Sequence, residues 1–413
     1  MRIVVAGWWL VGLLTVAGGP GPAAAQKPRP KKELDRTIDL GPWRARVVRL
    51  KAEDQVAAVE AKLGELNPEF RGQKLAAKIQ DRAVREVVVP ASYLVDIGPL
   101  QVFHSLQRLE FVCEAGKPSK IADLSPLAGL PLTSLWMASL AVTDLTPLRG
   151  MALKEFWASG TRAGDIRVLY DMPLEVLALP VGADPKQVDR LKGKPFRLFV
   201  SNGDLMNPKR MKLLFDGTRV ERFEAWGDRT LTDLKALKGH PLKYLQLDQC
   251  PNLRDVSALA GAPDLSHIWM VGSAVSDLKA FQGKAGLAAL YCSGCRGITT
   301  IAPLAGSKSL HTLWIAGTGV RDLSPLTGIE TLHTLLIDAP ADPKGLKPLT
   351  GLPRLKELSM QGPVSPKLDL SPLATLPALE HIHVELNPRV RAMLKQIRTL
   401  KEVNREPAAE VLK

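Results

Sequence analysis

The sequence predicts an α/β solenoid: a stack of short coils whose strands line one curved, parallel, concave sheet and whose short helical turns and loops cover the convex side. Two periodic phrases held in fixed phase predict it, and a change of character at each end predicts caps. The first phrase, Asp-Leu-Ser/Thr-Pro-Leu, stands at Asp123, Asp144, Asp322 and Asp369, with looser copies at Asp233, Asp255, Asp277 and Thr300. Positions 123 and 144 are 21 residues apart, and the pairs 233/255, 255/277 and 300/322 are each 22 apart. The second phrase, Leu-x-x-Leu-x-Leu, follows after a short turn, as in Leu132-x-x-Leu135-x-Met137, Leu242-x-x-Leu245-x-Leu247 and Leu310-x-x-Leu313-x-Ile315.

The length of 413 residues would by itself suggest two or three domains, but coils add lengthwise to one body. Residues 1–25 read as a secretory signal: Arg2 gives a positive start, Ile3 to Val16 is apolar, and Ala23-Ala24-Ala25 offers a cleavage site before Gln26. The apolar run is too short to span a bilayer, so no transmembrane segment is expected after cleavage. Residues 26–51 read as a basic, Pro- and Lys-rich tail. It carries nine of the Lys and Arg residues against Glu33, Asp35 and Asp39, which accounts for part of the net charge of +13. For an exported chain that charge suits an anionic envelope polymer or membrane face rather than nucleic acid.

Residues 52–95 read as an N-terminal cap. Val56, Val59, Leu63 and Leu66 have helical spacing, Asn67-Pro68 ends the pattern, and Val84, Val87 and Val89 suggest a first strand. The repeat array is assigned to residues 96–386, beginning with a strand at Leu106-x-x-Leu109-x-Phe111. In each repeat the last two leucines point inward at period 2, leaving the residue between them on the concave face. Ser125 is expected to cap a helical turn in which Pro126 loses nothing by lacking an N-H. Regularity weakens over 180–230, where Pro185 to Leu191 and Pro208 to Phe215 have the spacing of true helices. Residues 387–413, with Met393, Leu394, Ile397, Leu400 and Val403, read as a closing helix and extended piece.

These motifs resemble bacterial leucine-rich-repeat proteins of the internalin-like, 21- to 22-residue class, over about Val84 to Pro388. The flanks resemble the leucine-rich regions appended to bacterial Ser/Thr kinases: a cap of the form Lys62-Leu63 to Asn67-Pro68-Glu69-Phe70, and an ending from Leu394-Lys395-Gln396-Ile397 to Asn404. The chain departs from those fusions in having a signal sequence and no kinase Gly-rich loop or His-Arg-Asp segment. The resemblance implies a leucine-rich-repeat recognition scaffold and leaves its ligand open.

The outward position between the last two leucines holds Trp136, Trp157, Trp269, Tyr291, Trp314 and Leu336. Four of the six Trp residues after residue 26 share this column. The last four names fall on consecutive strands, a stripe roughly 14 Å long. A contiguous row of large apolar groups facing water marks a binding surface, and Trp and Tyr are favoured interface anchors; the same rings could instead pack on one another and merely cover the sheet. His311 and His333 share a register in successive repeats and are placed beside the strip. No Cys, Asp or Glu completes a metal coordination set in their column.

Cys250 and Cys295 fall three positions after the residue that closes a strand, where such repeats place Asn or Cys to bond the turn, and Cys292 takes an inward Leu slot. Cys250 and Cys295 lie two repeats apart, about 10 Å, too far for a disulfide. Cys113 has no evident partner. No Gly-x-Ser-x-Gly, His-Glu-x-x-His or phosphate loop occurs, and the carboxylates are scattered over distant repeats, so neither catalysis nor a cofactor is expected. The function expected is an exported, non-enzymatic scaffold, periplasmic or extracellular, gripping a protein or extended polypeptide on its concave sheet. Binding of an envelope glycan and a role as a surface spacer are the alternatives.

Overall fold

A computed structural model of the chain describes residues 40–413. The signal assigned to residues 1–25, and the part of the basic tail in residues 26–39, lie outside the described residues. The rest of that tail is not tail. Helix α1 (Gly41–Val47) lays Val47, 2% exposed, against the 3-10 turn Gly98–Val102, and Trp43 packs beside it. The apolar spacing of Trp43, Val47 and Val48 is helical, and the intervening arginines hide it in a reading by charge. The cap therefore begins a full helix earlier than residue 52. Helix α2 (Ala52–Leu66) follows, burying Val59 and Leu63, and then the antiparallel pair β1 (Ala76–Gln80) and β2 (Ala83–Pro90).

Thirteen parallel strands follow in strict sequence order. They are β3 (Arg108–Val112), β4 (Ser134–Trp136), β5 (Glu155–Trp157), β6 (Val176–Ala178) and β7 (Leu198–Asn202). Next come β8 (Arg222–Trp226), β9 (Tyr244–Gln246), β10 (His267–Trp269) and β11 (Ala289–Tyr291). The last are β12 (Thr312–Trp314), β13 (Thr334–Asp338), β14 (Glu357–Gln361) and β15 (His381–His383). Short β16 (Glu402–Val403) adds in parallel to β15, and β17 (Glu406–Pro407) closes the sheet antiparallel to β16. The convex side is mostly 3-10 turns, thickened by α3 (Pro185–Val188) and α4 (Pro208–Phe215); α4 spans the expected range, whereas the helix expected over Pro185 to Leu191 tightens to a 3-10 turn from Asp189. Helices α5 (Pro388–Leu394) and α6 (Ala408–Val411) finish the chain. Among the described residues no helix is long and apolar enough to cross a membrane.

The recurring Asp-Leu-x-Pro-Leu phrase closes its turn through the Asp and not through the hydroxyl. Ser125 does not cap its turn. Asp123 does: its Oδ1 accepts the Ser125 N-H at 2.7 Å and its Oδ2 accepts the Ser125 hydroxyl at 2.7 Å. Asp322 and Asp369 repeat both bonds, and Asp144 accepts the Thr146 N-H at 2.8 Å. A carboxylate reaches two residues ahead more readily than a hydroxyl can reach its own turn, which is why the phrase opens on Asp. These bonds hold the Asp144, Asp322 and Asp369 carboxyls below the usual carboxylate range.

After each strand the chain turns through a second ladder. At Asp228 it is a buried carboxylate whose Oδ2 takes the Leu205 and Met206 N-H groups at 3.0 and 2.5 Å, while Oδ1 takes Thr230 and Leu231 N-H at 2.7 and 3.1 Å. Cys250 and Cys295 stand in the equivalent places, their thiols directed at the carbonyls of Ala225 (3.4 Å) and Met270 (3.0 Å). Cys292 is fully buried in an inward slot, and all four cysteines are free. Coils approach so closely here that a Cβ on Gly317, whose φ is +71°, would lie 3.3 Å from the Cα of Gly294.

Candidate functional site on the concave sheet

Parallel register without slippage carries one outward residue per strand into a single row. From β3 to β14 the row reads Glu110, Trp136, Trp157, Ala178, Val200, Glu224, Gln246, Trp269, Tyr291, Trp314, Leu336 and Ser359. All six residues expected in this column occupy it. They form two aromatic groups separated by the small Ala178 and Val200 and the polar Glu224 and Gln246.

In the first group Trp136 and Trp157 stack with centroids 4.8 Å apart and planes 16° apart. The Arg108 guanidinium lies 5.2 Å from the Trp136 ring centre and within 3.5 and 3.6 Å of the Glu110 and Glu155 carboxylates. In the second group Trp269 stacks on Tyr291 at 4.4 Å, and Tyr291 meets Trp314 edge to face at 4.8 Å. Tyr244 packs on the other side of Trp269 at 4.7 Å, with His267 at 5.8 Å.

The row is less exposed than a bare strip of rings. Tyr291 is only 2% exposed and Leu336 only 8%, because each side chain lies in the shadow of a neighbour on the next strand. The four indoles remain half-buried, and the Nε1 atoms of Trp136 and Trp314 are covered without an acceptor among the described residues. Burial pushes the Tyr244 and Tyr291 phenols up to about 12.

His311 and His333 do stack, at 5.3 Å, but one residue before their strands, so Thr312 and Thr334 stand between them and the aromatic row. They line the entry edge of the sheet, and His333 Nδ1 lies 2.7 Å from the Thr331 carbonyl. Among the described residues no group of three or more His, Cys, Asp or Glu is placed to hold a metal.

Several groups on this face escape a reading of one column. Each strand has a second outward position, just before its central leucine, and this brings Arg108, Arg222, Tyr244 and His267 to the surface. The Leu-x-x-Leu-x-Leu phrase contains that position, so its second x carried the signal. Glu224 is 4% exposed and pairs with Arg222, whose guanidinium also sits 4.0 Å over the Tyr244 ring. Burial outweighs that guanidinium and raises the Glu224 carboxyl. Asp248 is likewise raised by burial, though it accepts bonds from Gln246 (3.0 Å) and the Val271 N-H (2.9 Å). Trp226, 43% exposed at the end of β8, is the most open indole of the face.

Known structures share this architecture. The chain is similar to an internalin, InlF, from Listeria monocytogenes, with a TM-score of 0.58 and 18% identity over 82% of this chain and 99% of that one. It is also similar to a leucine-rich-repeat protein from Leptospira interrogans (TM-score 0.43, 14% identity, 77% and 88% covered). The functional domain of InlJ from Listeria monocytogenes gives 0.41 and 14% identity, with 74% and 72% covered. No protein-family model matches the chain, and no curated protein matches it. At such identities the likeness to InlF is one of fold, and it agrees with the repeat length, the continuous parallel sheet and the turn ladders: the chain is an internalin-like leucine-rich-repeat solenoid.

Proposed function

We propose that the protein is an exported, non-enzymatic recognition scaffold that binds an extended segment of another protein across its concave sheet. The observation that carries this is the aromatic group of Tyr244, Trp269, Tyr291 and Trp314 on four consecutive strands, in which a buried Tyr291 is flanked by half-buried rings. Rings already packed on one another lose little freedom on binding, and they present preformed apolar edges to a partner. Within this group Trp269 offers no ring face to a sugar, because Tyr244 packs on one side of it and Tyr291 on the other.

Export to the periplasm or beyond rests on the N-terminal sequence, and the basic residues from Lys27 to Lys51 support an additional contact with an anionic envelope polymer. Two experiments test the reading. A photo-crosslinker at Gln246, followed by sequencing of the adduct from an envelope extract, should identify one protein partner. Trp269→Ala with Trp314→Ala should abolish that adduct while the thermal melt stays cooperative. An undiminished adduct would refute the site, and a chain that remains in the cytoplasmic fraction with its first 25 residues attached would refute export.

A further inference from the structure

The protein as a whole is strongly basic, with a net charge of +13, but its concave face is not. On or immediately after strands β3 to β14, the outward positions carry six carboxylates: Glu110, Glu155, Glu224, Asp248, Asp338 and Glu357. Only two guanidiniums, Arg108 and Arg222, oppose them there. Lys154, Arg197, Lys243 and Lys356 stand one residue earlier, at the entry edge, so the outward positions themselves carry four more carboxylates than guanidiniums.

Both arginines show how this surface holds a cation. Arg108 lies over Trp136 between Glu110 and Glu155, and Arg222 lies over Tyr244 against Glu224. Each seat is a ring face for the flat guanidinium plus a carboxylate at its edge, the pairing that makes Arg bind more strongly than either element alone. Three carboxylates and the most exposed indole are left over. Among the described residues, Asp248, Asp338 and Glu357 have no Lys or Arg within ion-pair distance, although His383 reaches Glu357 at 3.7 Å. Trp226 stands two residues beyond Glu224, as Asp248 stands two residues beyond Gln246, and Glu224 pairs with Gln246. Trp226 and Asp248 therefore occupy matching places on neighbouring strands, about 4.8 Å apart. They have the composition of the two filled seats, without a cation.

We infer that the concave face from β8 to β14 takes an extended, Arg- or Lys-bearing segment of a partner protein, with one cationic side chain seated between Trp226 and Asp248. A second would reach Asp338, four strands away. That separation, about 19 Å, corresponds to roughly six residues of extended chain. The aromatic rings between the two seats would cover the apolar part of the segment, and the carboxylates exclude phosphate-rich and acidic ligands. The inference rests on the concave-face reading above and adds the charge of what binds there.

The test uses a fluorescein-labelled ten-residue peptide with Arg at positions two and eight in an otherwise Ala and Leu sequence, and a counterpart with Glu in place of Arg. Fluorescence anisotropy with the mature chain at low salt should show binding of the first and not of the second. Asp248→Asn with Asp338→Asn should weaken it about tenfold, and raising the salt should weaken the unsubstituted protein towards the variant. Asn preserves the acceptor for the Val271 N-H, and circular dichroism confirms the fold. Trp226→Ala, an exposed change, should weaken binding without touching stability. Equal binding of the two peptides, or no effect of the Asp and Trp226 changes, overturns the inference. If neither peptide binds but the photo-crosslinked partner is still captured through Trp269 and Trp314, the charge assignment fails while the concave-face reading stands.

Discussion

Trp269 and Tyr291 lie face to face on adjacent coils, ring centres 4.4 Å apart and planes 11° apart, and the phenol ring is nearly sealed by the contact. A residue on the solvent side of a sheet thus becomes as buried as a core leucine. Tyr291→Ala should cost about 3 to 5 kcal/mol in urea unfolding, as for a buried aromatic, since it removes the ring between two indoles. A loss within the surface-substitution range of about 0.5 kcal/mol would mean that the rings do not pack in solution.

Asp228 joins two coils through four backbone N-H groups. Asp228→Ala would leave those donors buried and unpaired, at a cost of about 3 kcal/mol or more, and Asp228→Asn should cost distinctly less because one acceptor survives. Equal destabilisation by the two changes would show that the carboxylate's acceptors are not what matters.

His240 ties pH to stability. Its Nδ1 accepts the Val220 N-H at 3.2 Å, and burial holds the imidazole below its ordinary value. The native chain then binds fewer protons than the unfolded one. The stabilisation is complete above the ordinary imidazole value of about 6.5 and is lost as pH falls through the lowered native value. Because buried Glu224 and half-buried Asp248 shift the opposite way, the check is a difference: the unsubstituted protein should lose more Tm between pH 7.5 and pH 5.5 than His240→Gln does. Parallel curves would exclude the link.

The thiols should be quiet. Burial pushes Cys250 up to about 12 and Cys292 and Cys295 upward, while Cys113 is partly open but also raised. Since the thiolate is the nucleophile, iodoacetamide at pH 8 should label Cys113 first and the other three only after unfolding. Rapid native labelling of Cys292 or Cys295 would place one of them outside the core.

Much of the architecture was readable because it repeats. The inward leucines, the strand positions and the two helices at Pro185 and Pro208 follow from spacing alone, and a misassigned coil would break phase with its neighbours. Legibility fails where one residue type serves several interactions. A hydroxyl before a helical turn suggests a cap at Ser125, whereas Asp123 supplies both bonds. Arginines dominate residues 41–47 and suggest a tail, whereas Trp43 and Val47 dock the helix. In the candidate site the column between the last two leucines is legible, whereas the second outward column, which carries Arg108, Arg222 and Tyr244, has no repeated residue type to mark it.

Spacing along the chain sets the coil, its period and the row in which Trp136, Trp157, Trp269, Tyr291 and Trp314 stand, because side-chain direction along a strand follows a period of two. Packing between coils sets how much of each ring meets water and which charges share the face. Those depend on neighbours 22 residues away in the chain and about 5 Å away in space, and on whether Arg108 and Arg222 fold down over the rings or reach into solvent.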